Sequence, residues 1–121
     1  MLVSMDTGKI ITSMPHKRDF ERWKKNISAA DYQKVVDAIN DKIDSSEINT
    51  AGWIPGSDWS GTVYEPLYLA CGQNKDLSGR FFGLIVFETL MTRTDKYWGF
   101  GRYEKDGVPI QSMTYFEVTY P

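Results

Sequence analysis

The sequence predicts an α+β domain over residues 1–121, with an N-terminal helical pair and a buried central helix packed with a C-terminal antiparallel β-hairpin, a small sheet. Three observations carry this expectation. Phe81 to Met91 is an almost unbroken apolar run. Tyr32, Val35, Val36, Ile39 and Ile43 recur at helical spacing. Asp106-Gly107 stands between two aromatic-rich runs near the end of the chain.

The apolar run decides the core. Its Phe, Ile, Val and Thr residues favour a strand, but a continuous apolar strand usually ends by about eight residues. This run extends upstream through Leu77, Ser78, Gly79 and Arg80. Length therefore points to a helix near 77–92, capped at its start by Asn74 or Asp76 and closed by the cation of Arg93 at the negative end of the helix dipole. Gly79 and Gly83 fall one turn apart, which predicts that another backbone packs closely there and offsets their propensity cost of about 1 kcal/mol each. A bilayer crossing needs about 20 apolar residues, so the run is too short to span a membrane.

The N-terminal helices read from their start signals. Asp6-Thr7-Gly8 spells the aspartic-protease triplet, but the residues before it are too few and too polar for the strand that chemistry needs, so a turn is expected. Residues 9–12 predict a short edge strand extending the sheet. Pro15 opens a helix near 16–27, with Phe20, Trp23 and Ile27 as its apolar stripe. Ser28 caps a second helix near 29–45, with Asp31 in the first turn, and Tyr32 to Ile43 form a core-facing stripe at 3.6-residue spacing.

Residues 46–61 hold three Gly, one Pro and two Trp without helical or strand period. They predict a long loop with a type II turn at Pro55-Gly56. Loops of this length in compact domains are often functional. Trp53 and Trp59 either tuck inward and seal the core or leave part of a ring open as a contact, with Asp58 or Ser60 as polar anchor. Thr62 to Gly72 reads as a short helix near 64–71, with Pro66 in its first turn and Leu67, Ala70 and Cys71 inward, or as a strand.

The last quarter carries the β signal: Tyr97 to Glu104, a turn at Lys105-Asp106-Gly107, then Val108 to Tyr120. Along the second strand Tyr115 and Glu117 share one face, and Phe116 and Val118 the other. Gly99 and Gly101 predict a shallow groove on the first strand. Pro109 marks an edge or a bulge.

Composition bounds the function. The net charge of −2 opposes nucleic-acid binding by bulk electrostatics. Charge is uneven, with Lys17, Arg18, Arg22, Lys24 and Lys25 crowded into nine residues, and this pattern reads first as a solvated helix face. One cysteine, Cys71, excludes an internal disulfide and suggests a reducing compartment. The first residues carry no signal-peptide pattern, so a cytoplasmic location is expected. A lone His16 and a lone cysteine support neither a zinc site nor a triad, and no glycine-lysine loop cradles phosphate. No cofactor and no metal are expected.

The aromatic content, four Trp, seven Tyr and six Phe, suggests more rings than the core can hide. The expected role is a small cytosolic protein-binding or regulatory domain that uses the aromatic loop and hairpin. Its contacts are Trp53, Asp58, Trp59, Ser60, Trp98, Phe100 and Arg102, and its partner is another protein or a second copy. The alternative is a small enzyme or ligand-binding domain for a small molecule. Its pocket lies between loop and hairpin, with Asp58 or Glu88 as acid or base. Glu88 interrupts the apolar run and needs a partner there, for which Arg80, Arg93 and Arg102 are the candidates.

Overall fold

A computed structural model of the chain describes residues 1–4, 7–45, 48–50, 61–101, 104–105, 108–109 and 114–119. The elements in chain order are β1 (Leu2–Ser4), β2 (Ile10–Ile11), α1 (Lys17–Lys24), α2 (Ala29–Asp44), β3 (Ile48–Thr50), α3 (Glu65–Ala70), α4 (Lys75–Thr92), β4 (Tyr97–Gly101), β5 (Glu104–Lys105), β6 (Val108–Pro109) and β7 (Thr114–Val118). The α+β expectation holds.

α4 is the axis of the helical layer. The Asn74 side chain accepts from the Leu77 N–H at 3.0 Å and starts it. Phe81, Phe82, Leu84, Ile85, Val86, Phe87 and Leu90 are buried, and they point in nearly every direction around the helix. A helix apolar on all sides must be surrounded. α1, α2 and α3 pack against it. Two hydroxyls are also buried, and each bonds back into its own helix: Thr89 to the Ile85 carbonyl at 2.7 Å, and Ser78 to the Asn74 carbonyl. Rings lock α1 and α3 in place. Phe20 stands edge-on to Phe81 at 5.8 Å, Trp23 lies 5.8 Å from the same ring, and Tyr64 meets Phe82 at 5.4 Å and 90°.

α2 follows its sequence signals. Ser28 accepts from the Asp31 N–H at 3.1 Å, and Val35, Ile39 and Ile43 face the core. α1 is shorter than expected. Its first boundary residue, His16, sits in the left-handed region at φ 53° and its side chain makes no capping bond, while Lys25, Asn26 and Ile27 form a turn rather than helix.

The expected close packing at Gly79 and Gly83 is not seen among the described residues: a Cβ at either position would meet nothing of theirs within 4 Å, so no described backbone explains either glycine.

The described strands form a mixed five-stranded sheet in the order β2-β1-β4-β7-β3, with β5 and β6 as a separate antiparallel pair. This corrects the simple terminal hairpin. β4 and β7 do pair antiparallel, from Tyr97 opposite Val118 to Gly101 opposite Thr114. They lie inside the sheet, however, flanked by β1 running parallel to β4 and by β3 antiparallel to β7. β5 and β6 bracket Asp106-Gly107, with Lys105 opposite Val108. β2 does not extend the hairpin directly but pairs with β1. Of the expected turn at residues 6–8, Asp6 lies outside the described residues; the Gly8 N–H donates to the Ser4 carbonyl at 2.8 Å, and Gly8 takes φ 70°, which glycine adopts without strain.

Side chains alternate across the sheet as the pleat requires. Leu2, Trp98 and Tyr115 belong to the core shared with the helices. Val3 is buried but lies outside that cluster. In register beside it are Ile10 on one side and Gly99 and Phe116 on the other. Gly99 is thus buried between neighbours rather than flooring an open groove.

Candidate functional site

Strand register decides what the expected contact residues share. Thr50, the last residue of β3, stands opposite Thr114, and Thr114 stands opposite Gly101, the last residue of β4. Neighbouring strands are about 4.8 Å apart, so Thr50 and Gly101 end their strands roughly 10 Å from each other. Trp53, Asp58, Trp59 and Ser60 follow Thr50 in the chain, and Arg102 follows Gly101. All five lie outside the described residues. Their two attachment points nevertheless leave the same end of the sheet, two strands apart.

The other expected contacts divide. Phe100 belongs to β4, next to that end, and is in register with Tyr115. Trp98 does not reach the surface. It is 3% exposed within the core, and the Arg93 guanidinium lies over its ring at 4.9 Å. The cause is strand parity: Trp98 shares the helix-facing side of the sheet with Leu2 and Tyr115. It is a core residue, not a docking ring.

Among the described rings Phe20, Trp23, Tyr64, Phe81, Phe82, Phe87, Trp98 and Tyr115 are buried, while Tyr32, Tyr68, Tyr97 and Phe116 are half-buried. The large apolar side chains left open among the described residues are aliphatic: Val63 at 39% and Leu69 at 57% exposure. Both follow residues 46–61 closely in the chain. Helical spacing could have revealed Leu69, because placing Leu67, Ala70 and Cys71 inward turns Leu69 outward.

Glu88 finds a partner that was not foreseen. It is half-buried where α2 meets α4, and the Tyr32 hydroxyl donates to its Oε1 at 3.4 Å. Burial, reinforced by the Glu88 charge, pushes the Tyr32 hydroxyl well above the ordinary tyrosine range. Tyr32 therefore stays a neutral donor. Among the described residues neither Arg80 nor Arg93 pairs with Glu88, and Arg102 lies outside them, so the Tyr32 bond is the contact described for this carboxylate.

Arg93 carries the densest polar network described. Its guanidinium reaches Asp95 through Nε at 3.0 Å and Nη2 at 2.7 Å, Asp44 through Nη2 at 2.9 Å and Asn40 through Nη1 at 3.2 Å. The hydrogen bond from Arg93 holds the Asp95 carboxyl down to about 2. The network ties the ends of α2 and α4 to the start of β4. Nothing in the local sequence signals it, since Asn40 and Asp44 come from about fifty residues away.

The remaining candidates are inert or exposed. Cys71 is buried, and desolvation pushes its thiol up to about 11, which disfavours the nucleophilic thiolate. His16 is exposed at the start of α1. Among the described residues no cluster of three His, Cys, Asp or Glu could hold a metal ion, and no helix is long and apolar enough to cross a membrane. Comparison of the chain with family models, curated proteins and solved structures finds no match.

Proposed function

We propose that this chain is a small cytosolic protein-binding or regulatory domain that docks another protein, or a second copy of itself, at the sheet end formed by Thr50 and Gly101. The observation that supports this reading is the register Thr50–Thr114–Gly101, which brings the attachment points of the two aromatic segments to one edge. Trp53 and Trp59 are the anchors, because Trp gives a large rigid contact area at small entropic cost. Asp58, Ser60 and Arg102 supply polar contacts at the rim.

Trp98 has no part in the docking surface, since it holds the core. The acid/base alternative loses force at Glu88, whose carboxylate is engaged with Tyr32.

The test is substitution of each indole separately. Trp53→Ala and Trp59→Ala are expected to keep the far-ultraviolet circular dichroism and the cooperative melt of the parent. Sedimentation equilibrium is expected to show concentration-dependent self-association reduced at least tenfold, or, for a heterologous partner, a matching loss in calorimetric titration. If both variants unfold, the rings are core residues and the proposed surface does not exist.

A further inference from the structure

We infer that the outer face of α1, together with Leu69, forms a second contact surface, one that receives an acidic amphipathic segment of another protein. Phe20 and Trp23 turn inward from α1. Arg18, Arg22 and Lys25 then fall at i, i+4 and i+7 on the opposite side, and all three are exposed. The five cations of residues 17–25 against Asp19 and Glu21 leave +3, so with a whole-chain charge of −2 the rest of the protein carries −5. Positive charge is thus concentrated on one short helix. Arg22 pairs with Asp19 at 2.9 Å and Lys24 lies over the Tyr32 ring at 4.5 Å, while Arg18 and Lys25 meet no carboxylate within 4.0 Å among the described residues.

Leu69, brought near the end of α1 by one hydrogen bond, is the apolar anchor we assign to this surface. The Asn26 side-chain amide, one residue beyond Lys25, donates to the carbonyl of Ala70 at 3.1 Å. That bond joins the end of α1 to the last turn of α3, where Leu69 is the most exposed large apolar side chain described. A cationic row beside a single exposed leucine matches a segment of alternating acidic and apolar residues. Single-stranded nucleic acid fits less well, because the rings of α1 are buried and cannot stack on bases. An anionic membrane fits less well too, because one exposed leucine beside the cations offers a bilayer little apolar area to bury.

The probe is a fluorescent fourteen-residue peptide of glutamate and leucine at helical spacing, followed by anisotropy against the full chain. Saturable binding that weakens with added salt is expected. Arg18→Glu with Lys25→Glu should reduce affinity at least tenfold, and Leu69→Ser about threefold, with the circular dichroism spectrum unchanged. The charge reversal lies wholly on the surface and tests the surface even if Leu69→Ser disturbs α3. Absence of saturable binding, insensitivity to the charge reversal, or tighter binding of an oligothymidylate or of phosphatidylserine vesicles would overturn the proposal. Association between two copies that is lost in the charge reversal would overturn it as well, in favour of a homomeric contact.

Discussion

α4 is held at two places by opposite means. In its first half Phe81 sits between Phe20 and Trp23 of α1, a dry junction of three rings. Where α4 ends, Arg93 clasps Asn40 and Asp44 of α2 and Asp95 before β4, with its plane over Trp98. The ring junction gains from area removed from water and is indifferent to pH. The clasp gains from directed bonds, which set the register between α2, α4 and the sheet, and it depends on carboxylates staying charged. The same helix therefore has a stabilising end and an aligning end.

Emptying the ring junction should have the larger effect. Phe81 is fully buried, and truncating a buried Phe to Ala costs about 3 to 5 kcal/mol. Phe81→Ala is expected to lower the urea midpoint sharply with an unchanged m-value, and to do so equally at pH 4 and pH 7. A loss under about 1 kcal/mol would mean that α1 collapses onto the gap or is not held there.

The clasp should respond less and should respond to acid. Arg93→Gln removes the charge while keeping one amide donor. The carboxylates are half exposed, which screens the pairs, so a loss of about 1 to 2 kcal/mol is expected from the hydrogen bonds and the ring contact. Asp95 titrates near 2 in the fold against 3.8 for the free side chain. A depressed carboxylate stabilises the fold above its unfolded value and loses that contribution as pH falls through its folded value. The window therefore runs from about 3.8 down to about 2. Carbon-detected NMR titration of Asp95 should show its midpoint return toward 3.8 in Arg93→Gln. An unchanged midpoint would show that the clasp does not form in solution.

The two junctions also differ in how far the sequence revealed them. Phe20 and Trp23 announce themselves by period, as does α2, whose stripe repeats over several turns behind the Ser28 cap, and the run from Phe81 announces itself by its unbroken apolar length. The clasp could not be read, because Asn40, Asp44, Arg93 and Asp95 are ordinary surface residues until the fold brings them together. β1 and β3 were missed for a related reason. Three residues are too few to display alternation, and Leu2 and Val3 are both buried on opposite faces, which erases the pattern. At the candidate site, the Asp-Gly turn signalled the β4–β7 ribbon. Its neighbours, and hence the shared edge of Thr50 and Gly101, depend on pairings between distant segments. Trp98 was misplaced because a ring in a strand faces core or solvent by parity alone, and parity had no reference until Leu2 stood beside it.

The smallest effect bears on the two glycines of α4 that flank the ring junction. Gly79 and Gly83 lie one turn apart with room for a Cβ, and neither has a positive φ. Gly in a helix costs about 1 kcal/mol relative to Ala, largely through unfolded-chain entropy. Gly79→Ala, on the exposed side of α4, should therefore stabilise the protein by about 0.5 to 1 kcal/mol, and Gly83→Ala by somewhat less because that position is half-buried. Thermal melts of the two single variants would measure this directly. A rise in both places the glycines outside the mechanism that holds α4, leaving the rings and the clasp to account for its position. A fall in either, with the circular dichroism unchanged, would mean that another surface rests on the bare backbone in solution, and the helix would then have a third support that neither junction predicts.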